Sequence, residues 1–190
     1  MEPVERLFIG VPLTRETRGA LGTHLAEALG DRRLPGRPVP PENWHLTLRF
    51  LGRTERVQYE KLLRALEEAR LGEAFVLGLS SLGAFPRPAR ATVLWMGIDR
   101  GEEELAALAA QVAETVERAG FPPEERPFAA HLTLSRIRPH QDVRSLIEKV
   151  PPFAWRQQVE RLVVFRSHLG GRGPARYEEL ESFALATQKR

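Results

Sequence analysis

The tetrapeptide His-Leu-Thr-Leu occurs twice in this chain, at residues 45–48 and again at residues 131–134, 86 positions later. Given a histidine, a sequence of this composition places Leu-Thr-Leu behind it on the order of once in a thousand trials, so the doubling asks for a chemical reason. Each copy alternates and is bounded by turn-forming residues, which predicts a strand. Side chains two apart on a strand share a face. His45 and Thr47 therefore project together, with Arg49 expected on the same side, while Leu46, Leu48 and Phe50 are expected to face a core. His131 and Thr133 repeat the arrangement over Leu132 and Leu134.

Two imidazoles and two hydroxyls converging on one cleft fit displacement at phosphorus. An imidazole titrates near pH ~6.5, so one ring can take a proton from a nucleophile while the other gives one to a leaving group. Threonine hydroxyls and arginine donors can hold the phosphate oxygens. Metal binding fits less well, because zinc wants three or more ligands and no Cys, Asp or Glu stands two residues from either histidine. The sequence also lacks a G-x-S-x-G elbow, a G-x-x-x-x-G-K-[ST] phosphate loop and a G-x-G-x-x-G fingerprint. His24, His140 and His168 lie outside any such motif and are read as non-catalytic.

The elements that must position these residues read in the order β-α-β-α-β-β-α-β-α-β-β. Strands are expected at residues 6–13, 45–51, 74–85, 91–98, 130–137, 159–167 and 177–185, with a bulge at Gly78. Helices are expected at 17–29 after an N-cap at Thr14, at 56–70, at 102–119, and from Asp142 through Lys149. The Pro-rich basic stretch 32–43 reads as a loop, and the last residues, 186–190, as a fraying tail. Adjacent ββ pairs suggest antiparallel pairing. The two HLTL strands each follow a loop and precede a helix, so residues 1–190 read as one domain with two similar lobes.

With 190 residues, 42% hydrophobic and 28% charged, the chain has the composition of a soluble globular protein. No apolar run approaches the ~20 residues of a membrane helix, and the N-terminus lacks the apolar stretch of a secretory signal. The absence of Cys removes disulfides and thiol nucleophiles. A cytoplasmic monomer is the expectation. Net charge is +3, and only Lys61, Lys149 and Lys189 among 28 basic residues are lysine. Arginine suits phosphate, although GC-rich coding is the commoner origin of such a bias. The basic residues 32–37, Arg87 and Arg90 are candidates for an RNA path, and Trp44, Phe85 and Tyr177 for stacking on a base; for each, surface charge or core packing is the commoner explanation.

Two H-x-T-x motifs on strands some 80–90 residues apart are the signature of the 2H phosphoesterases. The sequence resembles in particular the bacterial and archaeal RNA 2′,3′-cyclic phosphodiesterases, also called 2′-5′ RNA ligases. The resemblance runs through "RLFIGVPL", "VPPENWHLTLRFLG", "ATVLWMGI", "RPFAAHLTLSR" and "FRSHLGGRGPARYEEL". It implies a bilobal α+β fold with a pseudo-twofold repeat, two antiparallel sheets facing a central cleft, and helices outside. It implies hydrolysis of a terminal 2′,3′-cyclic phosphate to a 2′-phosphate, with RNA ends or cyclic nucleotides as substrate and neither metal nor cofactor. By position, His45 resembles the proton donor to the departing 3′-oxygen and His131 the base that activates water. Thr47, Thr133 and Arg136 resemble the phosphate ligands. Two departures stand out. Ala130 replaces the proline usual before the second histidine, which loosens entry into that strand. Simple alternation puts Arg136 on the face opposite His131, so it reaches the phosphate only where the strand bends, bulges or ends. Two other functions compete with hydrolysis: 2′-5′ RNA ligation by the reverse chemistry, and a non-catalytic RNA or nucleotide-binding module.

Overall fold

The computed structural model describes residues 4–169 and 173–187. Nine strands and four helices follow the expected order: β1 Val4–Pro12, α1 Arg15–Leu29, β2 Arg37–Pro38, β3 His45–Thr54, α2 Arg56–Glu68, β4 Phe75–Phe85, β5 Ala91–Arg100, α3 Glu102–Arg118, β6 Leu132–Gln141, α4 Arg144–Lys149, β7 Trp155–Val159, β8 Arg161–His168 and β9 Arg176–Ala184. Two strands were not expected. β2 is a two-residue piece of the Pro-rich loop, and β7 is a five-residue edge strand whose two glutamines carry little strand signal. In the terminal stretch expected to fray, Ala186 pairs with Glu73, and residues 188–190 lie outside the described residues. No described helix is long and apolar enough to cross a membrane.

The expectation of two separate sheets is corrected. The strands form one continuous antiparallel sheet in the order β7-β4-β5-β6-β3-β1-β8-β9, with β2 alongside β6. The reason lies at the centre, where β3 and β6 meet through the single pair Leu46↔Leu132. Beyond that rung they part, and the edge of β6 is taken up by β2 and by the Val39 N–H, which donates to the Leu134 carbonyl at 2.8 Å. The sheet thus has two halves, β3-β1-β8-β9 and β6-β5-β4-β7, with one HLTL strand in each.

A pseudo-twofold relation between the halves holds rung by rung. On β1 and β3 the pairs are Val11↔Leu46, Gly10↔Thr47, Ile9↔Arg49 and Phe8↔Phe50. On β5 and β6 they are Met96↔Leu132, Trp95↔Thr133, Leu94↔Ser135 and Val93↔Arg136. Both HLTL strands thus carry one extra residue, Leu48 or Leu134, at the same place. Such a bulge reverses the alternation beyond it.

The helices cover the outer face of the sheet. Leu21 and Leu25 of α1, Leu62 and Leu66 of α2, and Leu105, Val112 and Val116 of α3 pack against Ile9, Leu46, Leu77, Met96, Leu132 and Val164, all almost fully buried. Thr14 caps α1 through a 3.1 Å bond from the Thr17 N–H, as its position before the first apolar residues predicts. The Trp155 indole donates to the Thr17 hydroxyl at 3.0 Å and fastens α1 to the edge strand β7. The inner face of the sheet carries its own small hydrophobic cluster of Phe8, Val163 and Phe165, with Tyr177 packed against it.

Candidate active site

Leu46 and Leu132 are fully buried on the helix side, so the residues flanking them face the cleft. In an antiparallel ladder anchored at Leu46↔Leu132, His45 stands opposite Thr133, and Thr47 stands opposite His131. The two histidines are then diagonal neighbours, which in a regular ladder places their Cβ atoms about 7–8 Å apart. One rung therefore assembles all four side chains that the motif singles out.

Each imidazole is held the same way. His45 Nδ1 lies 2.7 Å from the Asn43 carbonyl, and His131 Nδ1 lies 2.7 Å from the Ala129 carbonyl. A carbonyl only accepts, so Nδ1 carries the proton in both rings and Nε2 is left for chemistry. The Thr47 hydroxyl, 2.8 Å from His45 Nε2, donates to it when the ring is neutral. Burial drives the pKa of His45 down to about 4; the Asn43 bond opposes this, and the charges of Arg136 and then His131 add to it. His131 is also lowered, first by burial, against its bond to Ala129 and with help from Arg136. Both rings are therefore neutral near pH 7 while the cleft holds no anion.

The bulges settle the two arginines in opposite senses. Arg49, expected beside Thr47, is turned to the helix side and is 5% exposed. There its guanidinium donates to the Pro122 carbonyl and pairs with Glu124 at 3.6 Å. Phe50, expected in the core, is turned to the cleft and is 60% exposed beside Phe8. On β6 the same bulge brings Arg136 to the His131 side, against simple alternation. Ser135 and Ile137 on either side of it are fully buried, and its charge depresses both imidazoles.

The surroundings of the two histidines differ. His45 packs on Phe8 with ring centroids 4.7 Å apart and meets the edge of Tyr177 at 5.3 Å. His131 meets the edge of Phe85, at 5.0 Å, and no other ring among the described residues. His45 begins β3 and pairs with Pro12, whereas β6 begins one residue after His131. Asn43, which carries no mark in the sequence, also belongs to the site. Its buried side chain donates to the Ala175 carbonyl at 2.5 Å and accepts from the Tyr177 N–H at 3.4 Å, tying the start of β9 to the residue that holds His45. No motif marks it, because its partners lie more than 130 residues away. Gly10 is a second silent feature, since a Cβ there would lie 2.8 Å from the Leu46 carbonyl oxygen and 3.3 Å from the His45 ring.

Of the aromatic candidates, Phe85 and Tyr177 line the cleft, while Trp44 is buried in the main core. His24 binds the Pro151 carbonyl at 2.9 Å and His168 pairs with Glu178 at 2.6 Å, both away from the paired motifs. Among the described residues no three His, Cys, Asp or Glu side chains gather as a metal site.

Two bulged His-x-Thr strands related by a pseudo-twofold axis are the architecture of a 2H phosphoesterase. The chain belongs to the 2′-5′ RNA ligase superfamily, whose sequence profile matches residues 20–171. It is 34% identical over 184 residues to an RNA 2′,3′-cyclic phosphodiesterase of Archaeoglobus fulgidus, covering 94% of this chain and 99% of that one. To the RNA 2′,3′-cyclic phosphodiesterase of Escherichia coli it is 31% identical over 190 residues, covering 97% and 99%. Among solved structures it is similar to Escherichia coli LigT complexed with 3′-AMP, with a TM-score of 0.80, 30% identity and coverage of 97% and 99%.

Proposed function

We propose that this protein hydrolyses 2′,3′-cyclic phosphate ends of RNA, or small cyclic nucleotides, to 2′-phosphomonoesters, with two histidines and no metal as acid and base. The observation that carries this reading is the rung Leu46↔Leu132, which sets two Nε2-presenting imidazoles diagonally across one cleft. His131 Nε2 removes a proton from water as its oxygen bonds to phosphorus. The P–O3′ bond breaks on the opposite side, and His45 Nε2–H delivers a proton to the departing 3′-oxygen. Thr47, Thr133 and Arg136 hold the non-bridging oxygens as charge builds on them. Tyr177 and Phe85 offer apolar faces to the nucleoside.

A neutral resting His45 must be loaded with a proton before it can act as the acid. The phosphodiester anion supplies the reason, because a negative charge beside the ring raises its pKa. Substrate binding and proton uptake are therefore coupled. When a 5′-hydroxyl takes the place of water, His131 removes its proton, the P–O3′ bond breaks as before, and the same groups carry out 2′-5′ ligation.

The named relatives are RNA 2′,3′-cyclic phosphodiesterases, and LigT structures contain 3′-AMP, ATP, NADP+ or phosphate. The deciding assay follows a nucleoside 2′,3′-cyclic phosphate in the presence of EDTA and locates the phosphate in the product by NMR. A 2′-phosphate is expected. A 3′-phosphate product, or activity abolished by EDTA and restored by a metal, would contradict the mechanism.

A further inference from the structure

β6 continues beyond the two-histidine site as a row of cations. Arg136 and Arg138 are exposed on either side of the fully buried Ile137, two residues apart along the strand and on the side away from Ile137, where the register of β6 with β5 shifts between Val93↔Arg136 and Ala91↔Gln141. Directly across the ladder from Arg136 stands Arg37 of β2, also exposed. Arg87 and Arg90 are exposed in the turn that meets the far end of β6, where Val143 N–H donates to the Pro88 carbonyl at 2.8 Å and Ala91 pairs with Gln141.

None of these five arginines pairs with a carboxylate among the described residues. Asp142, the acid next in sequence, is taken by Arg144 at 2.6 Å. On β8 and β9, at one edge of the sheet, the arrangement is reversed: Arg161 pairs with Glu179 at 2.8 Å, and Glu178 serves both Arg166 and His168. An arginine-rich coding bias explains how many arginines there are. It does not explain why those of β8 are matched with acids and those of β2 and β6 are not.

Nor is the basic loop loosely attached. Ser135 donates its hydroxyl to the Pro35 carbonyl, and the Val39 N–H binds Leu134. Gly36 has φ +75° and presses on β6 so closely that a Cβ would collide with the Arg136 carbonyl and lie 2.8 Å from the Ile137 Cα. The fold thus fixes Arg37 opposite a like charge, an arrangement that costs stability and is relieved by a further anion beside Arg37, separate from the phosphate that Arg136 holds.

We infer that Arg37 and Arg138, continued by Arg87 and Arg90, form a rail for the backbone phosphates of single-stranded RNA upstream of the reacting 3′ end. The substrate is then a polynucleotide end, which binds through phosphates that a cyclic mononucleotide does not possess. The inference rests on the phosphodiesterase reading for the identity of the reacting end.

The test compares wild type with the double variant Arg37→Gln/Arg138→Gln on two substrates, cytidine 2′,3′-cyclic phosphate and a short RNA ending in a 2′,3′-cyclic phosphate. The double variant is expected to lose about 10-fold or more in kcat/KM on the RNA and nothing on the mononucleotide, whose unchanged turnover also shows that the fold is intact. Equal losses on both substrates, or no loss on either, overturn the rail. Fluorescence anisotropy with the same RNA carrying a 2′-phosphate end reads the rail without turnover. The slope of log affinity against log salt should fall by about 0.7 for each arginine removed. An unchanged slope overturns the rail, whereas wild-type protein that binds this RNA but hydrolyses neither substrate overturns the phosphodiesterase reading alone.

Discussion

The two HLTL walls share a backbone and differ in nearly everything placed upon it. Rung for rung, Gly10 beside Thr47 corresponds to Trp95 beside Thr133, and Phe8 beside Phe50 to Val93 beside Arg136. The first wall is aromatic and closed, with His45 packed on Phe8 and bonded to Thr47. The second is more open and cationic, with His131 beside the edge of Phe85 and Arg136 on the same face. A repeated strand, bulge and carbonyl anchor give both imidazoles the same tautomer. The neighbours then lower the pKa of both, that of His45 to about 4, so the acid role assigned to His45 depends on the negative charge that a bound phosphodiester brings beside the ring.

The largest effect should come from removing either imidazole. His45→Ala and His131→Ala are each expected to lower kcat on a 2′,3′-cyclic phosphate by on the order of 10²–10⁴-fold with the fold intact, and the double variant to be little worse than the worse single. A phosphodiester with a nitrophenyl leaving group separates the roles, because that group departs without a proton. His45→Ala should recover much of its activity on such a substrate and His131→Ala should not. The opposite pattern would exchange the acid and the base.

Next in size is Arg136→Gln, expected to cost about 10²-fold by removing a charged ligand of the phosphate. It should also raise the pKa of both histidines, since the Arg136 charge now lowers both. NMR titration of the imidazoles reads this directly. Unmoved titrations would mean that Arg136 does not act at the centre of the cleft.

The line between what could be read from sequence and what could not runs through Leu48 and Leu134. Period-2 alternation places His45, Thr47, His131 and Thr133 correctly because nothing interrupts these strands before the bulge. Past it, alternation puts Arg49 and Phe50 on the wrong faces and Arg136 on the wrong side of β6. A bulge is one strand's residue count set against its neighbour's, and a single strand does not contain that information. The single sheet escaped for a related reason, since one bridge between residues 86 apart joins the halves. Asn43 has no signal at all: its counterpart on the second wall is Ala129, which shows that the motif needs only the carbonyl at that position.

The closed first wall should make stability depend on pH. His45 falls from an ordinary value of 6.5 to about 4 in the fold. Below 6.5 the unfolded chain takes up a proton that the folded ring resists. Stability is therefore full above that value and is lost as pH falls towards 4, by about 3 kcal/mol at most. Urea unfolding at neutral and mildly acid pH should show this loss, and His45→Asn should reduce it. A variant with the same pH slope as wild type would mean that burial does not hold His45 neutral.

The smallest expected effect sharpens the comparison most, because it concerns a difference between otherwise matched anchors. Asn43→Ala keeps the backbone carbonyl that orients His45 and removes the side chain that joins it to Ala175 and Tyr177. The loss of two partly buried hydrogen bonds is expected to cost about 1–3 kcal/mol of stability, a Tm decrease of several degrees. If the side chain positions the aromatic wall, kcat should fall about 10-fold through displacement of His45 and Tyr177, and the acidic limb of the pH–rate profile should shift as the burial of His45 changes. Asn43→Asp, which keeps one oxygen for the Tyr177 N–H but places a charge beside the imidazole, should raise the pKa of His45. A stability loss in Asn43→Ala with kcat and pH profile unchanged would make Asn43 a brace for β9, and the two walls would then differ in their aromatic and charged neighbours alone.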